Sequence, residues 1–189
     1  IEPVPKIIDM RRHLVMEETR LAQTLQEALK SMEDRGHPYK GVSVERTEWS
    51  QGLDIPLACE AEEYDVLYWV GCTASFDARS QKVARSFVQL LRLANVSVAV
   101  LGNDEHCCGD PARKTGNEYV YQMLAKANIE ALNCYGVKKI VTTCPHCFNS
   151  LSHEYPQFGG NYEVVHHTQF ILDLINSDKI KVGKLPENK

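Results

Sequence analysis

The 189-residue chain lacks the features that mark several common functional classes. No apolar run approaches the roughly 18 residues needed to cross a bilayer, and no charged-then-apolar signal segment opens the sequence. The 21 basic and 25 acidic residues give a net charge of −4, and no basic run with interleaved aromatics is present, which argues against nucleic-acid binding. We therefore expect a soluble, cytoplasmic protein without direct membrane insertion of this segment.

Motifs for nucleotide, hydrolytic or glycosidic chemistry are also missing. The sequence contains no GxGxxG, no Walker A motif, no Ser-His-Asp pattern and no paired carboxylates that would support such reactions. A structural disulfide framework is disfavoured as well, because the seven cysteines are odd in number and grouped as CC and CxxC. Metal ligation in a reducing compartment fits this cysteine usage better.

Five of the seven cysteines form one array. Cys72, Cys107, Cys108, Cys144 and Cys147 are spaced as C-x34-CCG-x34-CPHC. The first four each follow a short apolar run. That much sulfur in a regular arrangement indicates a metal or redox centre.

From Tyr64 onward the pattern alternates between strand and helix. The runs YDVLYWVGC, VSVAVLG, KKIVTTC and YEVVHHT predict four strands, and residues 79–94, 117–135 and 169–176 predict helices. Repeated βα units with short loops predict an α/β fold with a mainly parallel four-stranded sheet and flanking helices. Ligands of such sheets bind beyond the carboxyl ends of the strands, so we expect the array cysteines to meet at one edge.

A long amphipathic helix, from Lys6 to about Arg35, is predicted ahead of the sheet, followed by an ordered linker or docking loop. The predicted organisation is an N-terminal helix and linker at 1–58, a cysteine-rich domain at 59–178 and a C-terminal linker at 179–189. The opening IEPVP is typical of a mid-chain linker. We expect a piece of a longer polypeptide.

Five convergent thiolates suit some metal groups better than others. A structural zinc ion is saturated by four ligands, which would leave one cysteine spare. Iron-sulfur clusters are broad and accept widely separated thiolates. Adjacent Cys107 and Cys108 can reach different irons of an extended cluster more easily than one small ion. The residues favour a cluster, with zinc as the alternative.

Four residues near the array are predicted to surround the centre without ligating it. Gly109 allows a positive φ and close approach of backbone N–H groups to sulfide, or is an ordinary turn glycine. His106 and His146 are held close by the chain, and His166 ends the fourth predicted strand. These histidines are expected to donate N–H to sulfur, to shuttle protons or to lie on the surface.

Other residues have ordinary structural explanations. Cys59 and Cys134, outside the array, are predicted to be small buried residues. The charges Asp104, Asp110 and Arg113, which flank the CC pair, either solubilise a loop or tune the charge of a metal centre.

The array C-x34-CCG-x34-CPHC resembles the cysteine-rich CCG domain found in heterodisulfide reductase and in the iron-sulfur subunits that oxidise lactate, glycolate and glycerol-3-phosphate. The resemblance covers about residues 64–176. It implies that the array ligates a non-cubane [4Fe-4S] cluster, which exposure to air can remove; in other domains of the family the site holds zinc or no metal. The implied ligands are Cys72, Cys107, Cys108, Cys144 and Cys147.

The same resemblance implies an iron-sulfur electron-transfer module of an oxidoreductase, between a flavoprotein dehydrogenase and a quinone or disulfide acceptor. Its implied partners are the flavoprotein donor and other iron-sulfur domains of the same longer chain, which would place it on the cytoplasmic face of a membrane. One alternative is a zinc-stabilised or metal-free docking module that holds redox domains together. Another is a dithiol-disulfide oxidoreductase that uses Cys144 at a helix N-terminus with Cys147.

Overall fold

The protein is described here by a computed structural model that covers residues 2–183. Four strands form one sheet: β1 (Val66–Trp69), β2 (Val98–Ala99), β3 (Lys139–Thr142) and β4 (Glu163–His166). All neighbouring strands are parallel, and their order is β2-β1-β3-β4. The predicted α/β fold with a parallel four-stranded sheet is confirmed.

Helices cover both faces of this sheet and precede it. None of the helices in the described part of the chain combines the length and the apolar character that crossing a bilayer requires. The α-helices are α1 (Pro3–Arg12), α2 (Gln23–Arg35), α3 (Gly71–Phe76), α4 (Ala78–Leu93), α5 (Asp110–Thr115), α6 (Glu118–Cys134), α7 (Pro145–Asn149) and α8 (His167–Asn176).

The central strand β1 is buried on both sides, as its continuous apolar sequence predicts. Leu67 and Trp69 face a core that includes residues of α2 and α6. Val66 and Tyr68 face a second core with residues of α4 and α8. The alternation of side chains along a strand thus gives the molecule two cores, one on each face of the sheet.

The strand order places a topological switch between β1 and β3. After β1 the chain crosses to β2 on one side, and it later returns to place β3 on the other side. The connections at the carboxyl ends of these two strands therefore diverge and leave a crevice, which is where parallel sheets bind ligands.

The predicted N-terminal helix is present but interrupted. A π-helical turn at His13–Glu17 follows α1, and Thr19 then adopts a positive φ of 54° before α2 begins. Arg12 pairs with Glu118 at 2.8 Å, so a polar contact holds α1 against α6. The apolar periodicity continues across the interruption, which is why the sequence suggests one continuous helix.

The segment between α2 and β1 is ordered and packs on the sheet. Trp49 is buried and meets Tyr68 edge-on, with ring centroids 5.8 Å apart. Arg85 of α4 donates hydrogen bonds to the carbonyl oxygens of Trp49 at 2.7 Å and Gln51 at 2.8 Å. Of the predicted C-terminal linker, residues 184–189 lie outside the described range.

Candidate metal centre

The carboxyl ends of three strands bring the five array cysteines together. Cys72 lies in the first turn of α3, directly after β1, and the Cys107–Cys108 pair lies between β2 and α5. Cys144 precedes α7, and Cys147 lies within that helix. Four of these thiols are buried, while Cys144 is partly exposed, and all are free thiols.

The five thiols interact in series, each altering the pKa of its neighbour. Cys72 interacts with Cys107, and Cys107 with its neighbour Cys108. Cys108 interacts with Cys147, which in turn interacts with Cys144. Two cysteines separated by more than 70 residues in sequence are thereby joined through one continuous run of sulfur, which we call the thiol series.

The pKa values alternate along the thiol series. The hydrogen bond with Cys107 lowers the pKa of Cys72 against the effect of burial, and hydrogen bonds with Cys107 and Cys147 hold the pKa of Cys108 well below its usual value. Cys147 lowers the pKa of Cys144 to about 6. Hydrogen bonds and burial raise the pKa of Cys107 and Cys147 well above the usual value. The two ends and the middle of the series therefore favour the thiolate form, which metal ligation requires.

Arg46, on the segment between α2 and β1, contacts the buried end of the thiol series. Its Nη1 donates to Cys72 Sγ at 3.8 Å, and its Nη2 forms an ion pair with Glu105. The Glu105 carboxylate also accepts hydrogen bonds from the backbone N–H groups of Val70 at 2.9 Å and Gly71 at 2.8 Å. Burial alone would lower the pKa of Arg46, but Glu105 and Cys72 raise it above its usual value, so the guanidinium is charged.

Gly71 leaves space for sulfur at the end of β1. Its φ is +77°, and a Cβ atom there would lie 3.3 Å from Cys147 Sγ and 3.7 Å from Cys144 Cβ. Glycine is suited to this position both by its backbone conformation and by the close approach of the neighbouring thiol. The space beside Cys147 is thus kept free of side-chain atoms from β1.

A buried polar network fixes the backbone of the CC pair. Asn128 accepts a hydrogen bond from the His106 backbone N–H at 2.9 Å and donates to the Cys107 carbonyl oxygen at 3.0 Å. Asn128 also donates to the Tyr155 hydroxyl, which donates to the Cys108 carbonyl oxygen at 3.2 Å. Because both side chains are fully buried, this loop is held by groups that have no competing water.

Gly36 brings the end of α2 against the same loop. It adopts a left-handed conformation with φ +71°, and its carbonyl oxygen accepts a hydrogen bond from the Cys107 N–H at 2.7 Å. A Cβ at Gly36 would lie 2.4 Å from Cδ2 of His106. The end of α2 is therefore one wall of the site.

Gly109 lies at a tight turn directly after the CC pair, and a role for it beside a cluster stays a prediction. Its φ is +86°, and a Cβ would lie 2.6 Å from Cδ2 of Tyr121. The backbone N–H of the next residue, Asp110, donates a hydrogen bond to the Cys108 sulfur. Gly109 thus permits a tight turn that brings a backbone donor to a thiolate.

The three predicted histidines lie around the array in different settings. His106 Nδ1 lies 3.2 Å from the carbonyl oxygen of Asp104. His146 is largely exposed, and its Nδ1 lies 3.0 Å from the carboxylate of Asp110. His166, at the end of β4, bonds to the hydroxyl of a nearby threonine. In the described part of the chain no hydrogen bond joins these three rings to an array sulfur, and a role for them around the centre stays a prediction.

Some predictions about the surroundings of the array are wrong. Cys59 and Cys134 are exposed, not buried, because the neighbouring Ala58 and Leu132 occupy the buried positions of these two segments. Asp110, considered as a solvated loop charge, is buried. Arg113 lies over the ring of Tyr121, 4.7 Å from its centroid, so it packs beside the array rather than against its sulfur atoms.

Sequence reasoning missed Arg46 and Glu105. Glu105 carries a weak signal, since a carboxylate just before a CC pair lies in the loop that forms the site. Arg46 carries no such sequence signal, because its segment has no periodicity and because Arg46 lies 59 residues from its ionic partner Glu105.

The donor set fits an iron-sulfur cluster. Five thiols that interact in series, a glycine that leaves room beside sulfur and a buried cation suit an anionic group ligated by several thiolates. Across residues 2–183, no three His, Cys, Asp or Glu side chains are arranged around a position for a single metal ion.

Comparisons with known proteins agree with this chemistry. The family model for the cysteine-rich CCG domain matches residues 66–152. The EtfAB:quinone oxidoreductase of Syntrophomonas wolfei is 42% identical over 189 residues, which cover 97% of this chain and 26% of that protein. The probable iron-sulfur-binding oxidoreductase FadF of Bacillus subtilis is 42% identical over 187 residues, 95% of this chain and 26% of that protein.

A third relative is one of the subunits of the dihydromethanophenazine:CoB--CoM heterodisulfide reductase of Methanosarcina barkeri. It is 35% identical over 160 residues, which cover 81% of this chain and 37% of that protein. The chain thus spans about a quarter to a third of the length of these relatives. No solved structure matches it. Residues 66–152 of this chain are thus similar to the cysteine-rich CCG domain family.

Proposed function

We propose that this chain is an iron-sulfur electron-transfer module of an oxidoreductase. The observation that carries the proposal is the thiol series, which lies at the carboxyl edge of a parallel sheet beside the switch in strand order. Relatives named as iron-sulfur-binding or quinone oxidoreductases, and as part of a heterodisulfide reductase, support the same class of function.

In this proposal the thiol series ligates a non-cubane [4Fe-4S] cluster. Such a group accepts and returns electrons when bound. The protein favours the thiolate form of Cys72, Cys108 and Cys144, keeps four of the five ligands away from water and places donors and a cation beside sulfur. The proposed ligands are Cys72, Cys107, Cys108, Cys144 and Cys147.

The proposed electron donor is a flavoprotein, and the proposed acceptor is a quinone or a disulfide. The names of the relatives support these classes, since one is an EtfAB:quinone oxidoreductase and another belongs to a heterodisulfide reductase. We propose further that the module works beside other iron-sulfur domains of a longer chain. Its proposed place is the cytoplasm, at the face of a membrane.

The test is the metal content of protein prepared without oxygen. Iron, sulfide and zinc are measured together with the EPR spectrum for wild type, Cys108→Ser and Cys134→Ser. Cys108 lies in the middle of the thiol series, whereas the exposed Cys134 lies outside it and controls for the loss of a thiol. We expect near-stoichiometric iron and sulfide in wild type and Cys134→Ser, and a changed or lost signal in Cys108→Ser. Zinc or no metal in the folded wild type would instead indicate a docking module.

One observation favours a second function, a dithiol-disulfide oxidoreductase. Cys144 is partly exposed, its pKa is lowered to about 6, and it precedes the first turn of α7. These are features of a reactive thiolate beside a CxxC partner. This function predicts that Cys72→Ser and Cys107→Ser retain disulfide reductase activity, whereas the electron-transfer module loses its metal centre in both variants.

A further inference from the structure

The cation at the buried end of the thiol series comes from outside the matched segment 66–152. We propose that Arg46 sets the reduction potential of the metal centre by holding a fixed positive charge against Cys72. This inference rests on the proposed function, because it requires a redox group on the array. It makes the segment between α2 and β1 a functional part of the site.

Several contacts hold the guanidinium in place. One nitrogen contacts Cys72 Sγ at 3.8 Å while another is paired with Glu105. The carboxylate is itself fixed by the two N–H groups at the end of β1. The guanidinium carbon lies 5.9 Å from the ring centroid of Phe76. Because several contacts hold the Arg46 guanidinium, its distance to Cys72 Sγ is fixed, whereas an exposed lysine side chain would move.

Burial makes this charge effective. The side chains of Arg46 and Glu105 are 10% and 2% exposed. Charges in such surroundings interact more strongly than they do in water and are screened little by salt. Glu105 offsets part of the effect, but its carboxylate also accepts from two backbone donors, which stabilise its charge independently of Arg46.

The sign of the effect follows from charge balance. One-electron reduction adds one negative charge to the thiolate-ligated group, and no bond needs to form or break. A positive charge beside a ligand stabilises the more negative, reduced state. Arg46 therefore raises the reduction potential, and its removal should make reduction less favourable.

The experiment is a potentiometric titration of anaerobic protein, with dithionite as reductant and EPR as readout. Arg46→Gln removes the charge, and Arg46→Lys retains it. Arg85→Gln is the matched control, because Arg85 holds the same segment through the carbonyl oxygens of Trp49 and Gln51 without contacting the array. Iron and sulfide are measured for each variant.

We expect Arg46→Gln to lower the equilibrium constant for reduction about tenfold, which is about 59 mV for a one-electron couple. Arg46→Lys should restore most of this shift, and Arg85→Gln should match wild type. Equal potentials in wild type and fully loaded Arg46→Gln would overturn the inference. An equal shift in Arg85→Gln would also overturn it, since the position of the segment rather than the charge would then matter.

If Arg46→Gln does not take up iron, a second variant tests the same inference. Glu105→Gln removes the negative charge that offsets Arg46 and keeps one of the two oxygens that accept from Val70 and Gly71, so the potential should rise. An unchanged or lower potential would contradict the inference. Wild-type protein without iron and sulfide would instead contradict the proposed function, so the two failures are distinguishable.

Discussion

Both ends of the thiol series have a lowered thiol pKa, but the causes differ. At the inner end, Cys72 is buried, and its thiolate is stabilised by Cys107 and by the charge of Arg46. At the outer end, Cys144 is partly exposed, and its thiolate is stabilised by Cys147 and by backbone N–H groups at the start of α7. The inner end depends on a distant part of the chain, whereas the outer end is a local motif. Substitutions at the two ends of the thiol series should therefore have different effects on the protein.

The largest expected difference is in folding stability. Glu105→Ala at the inner end leaves Arg46 buried without its partner and removes the acceptor for two backbone N–H groups. Loss of one member of a buried ion pair costs about 3–5 kcal/mol. We expect a fall of this size in the free energy of unfolding, measured by chemical denaturation.

The matched change at the outer end is His146→Ala. His146 also pairs with a buried carboxylate, that of Asp110, but its own side chain is 68% exposed. Exposed ion pairs contribute less than about 1 kcal/mol to folding stability, so His146→Ala should lower the free energy of unfolding only slightly. If both substitutions lowered the free energy of unfolding equally, the contrast between a buried and an exposed end would be wrong.

The second difference concerns the space beside Cys147, which lies between the two ends of the thiol series. Gly71→Ala places a Cβ 3.3 Å from Cys147 Sγ, while Gly136→Ala meets no atom within 4 Å. Both glycines have positive φ, so both variants should lose about 1–2 kcal/mol of stability. Only Gly71→Ala should hold iron more weakly, by about tenfold in a competition with a chelator. Equal iron retention in the two variants would show that the space beside Cys147 is not needed.

The smallest effect is the pH dependence of the outer thiol. Because the pKa of Cys144 is lowered to about 6, its thiolate is present above that pH and lost as the pH falls through it. In iron-free protein, alkylation of Cys144 by iodoacetamide should rise with a midpoint near pH 6, followed peptide by peptide by mass spectrometry. In denaturant the midpoint should move to about 8.5, the usual value for cysteine. A native midpoint close to that usual value would mean that Cys147 and α7 do not stabilise the thiolate.

The outer end and the sheet could be predicted from sequence because their signals are local. Each array cysteine follows an apolar run or lies in a CxxC motif, and short βα connections leave little choice but a parallel sheet. The convergence of Cys72 and Cys144 then follows from the adjacency of β1 and β3, although the order of the strands had to come from the structure.

The inner end could not be predicted, because its contacts join residues far apart in sequence. Arg46 lies in a segment without periodicity, and its partner is known only once the segment is folded onto β1.

The interruption of the N-terminal helix could not be predicted from local signals either. Apolar spacing continues through Thr19, whose positive φ interrupts the helix there. Cys134 was misplaced because it lies on the exposed side of the last turn of α6, where Leu132 occupies the buried side.

The hydrogen bond from the Cys107 N–H to the Gly36 carbonyl oxygen bears on where this module can be cut. The donor belongs to the segment that the family model matches, and the acceptor lies thirty residues before that segment begins. A polypeptide trimmed to residues 66–152 would leave this amide, and the thiol beside Arg46, facing solvent. The smallest piece of chain that carries the complete site therefore begins no later than α2.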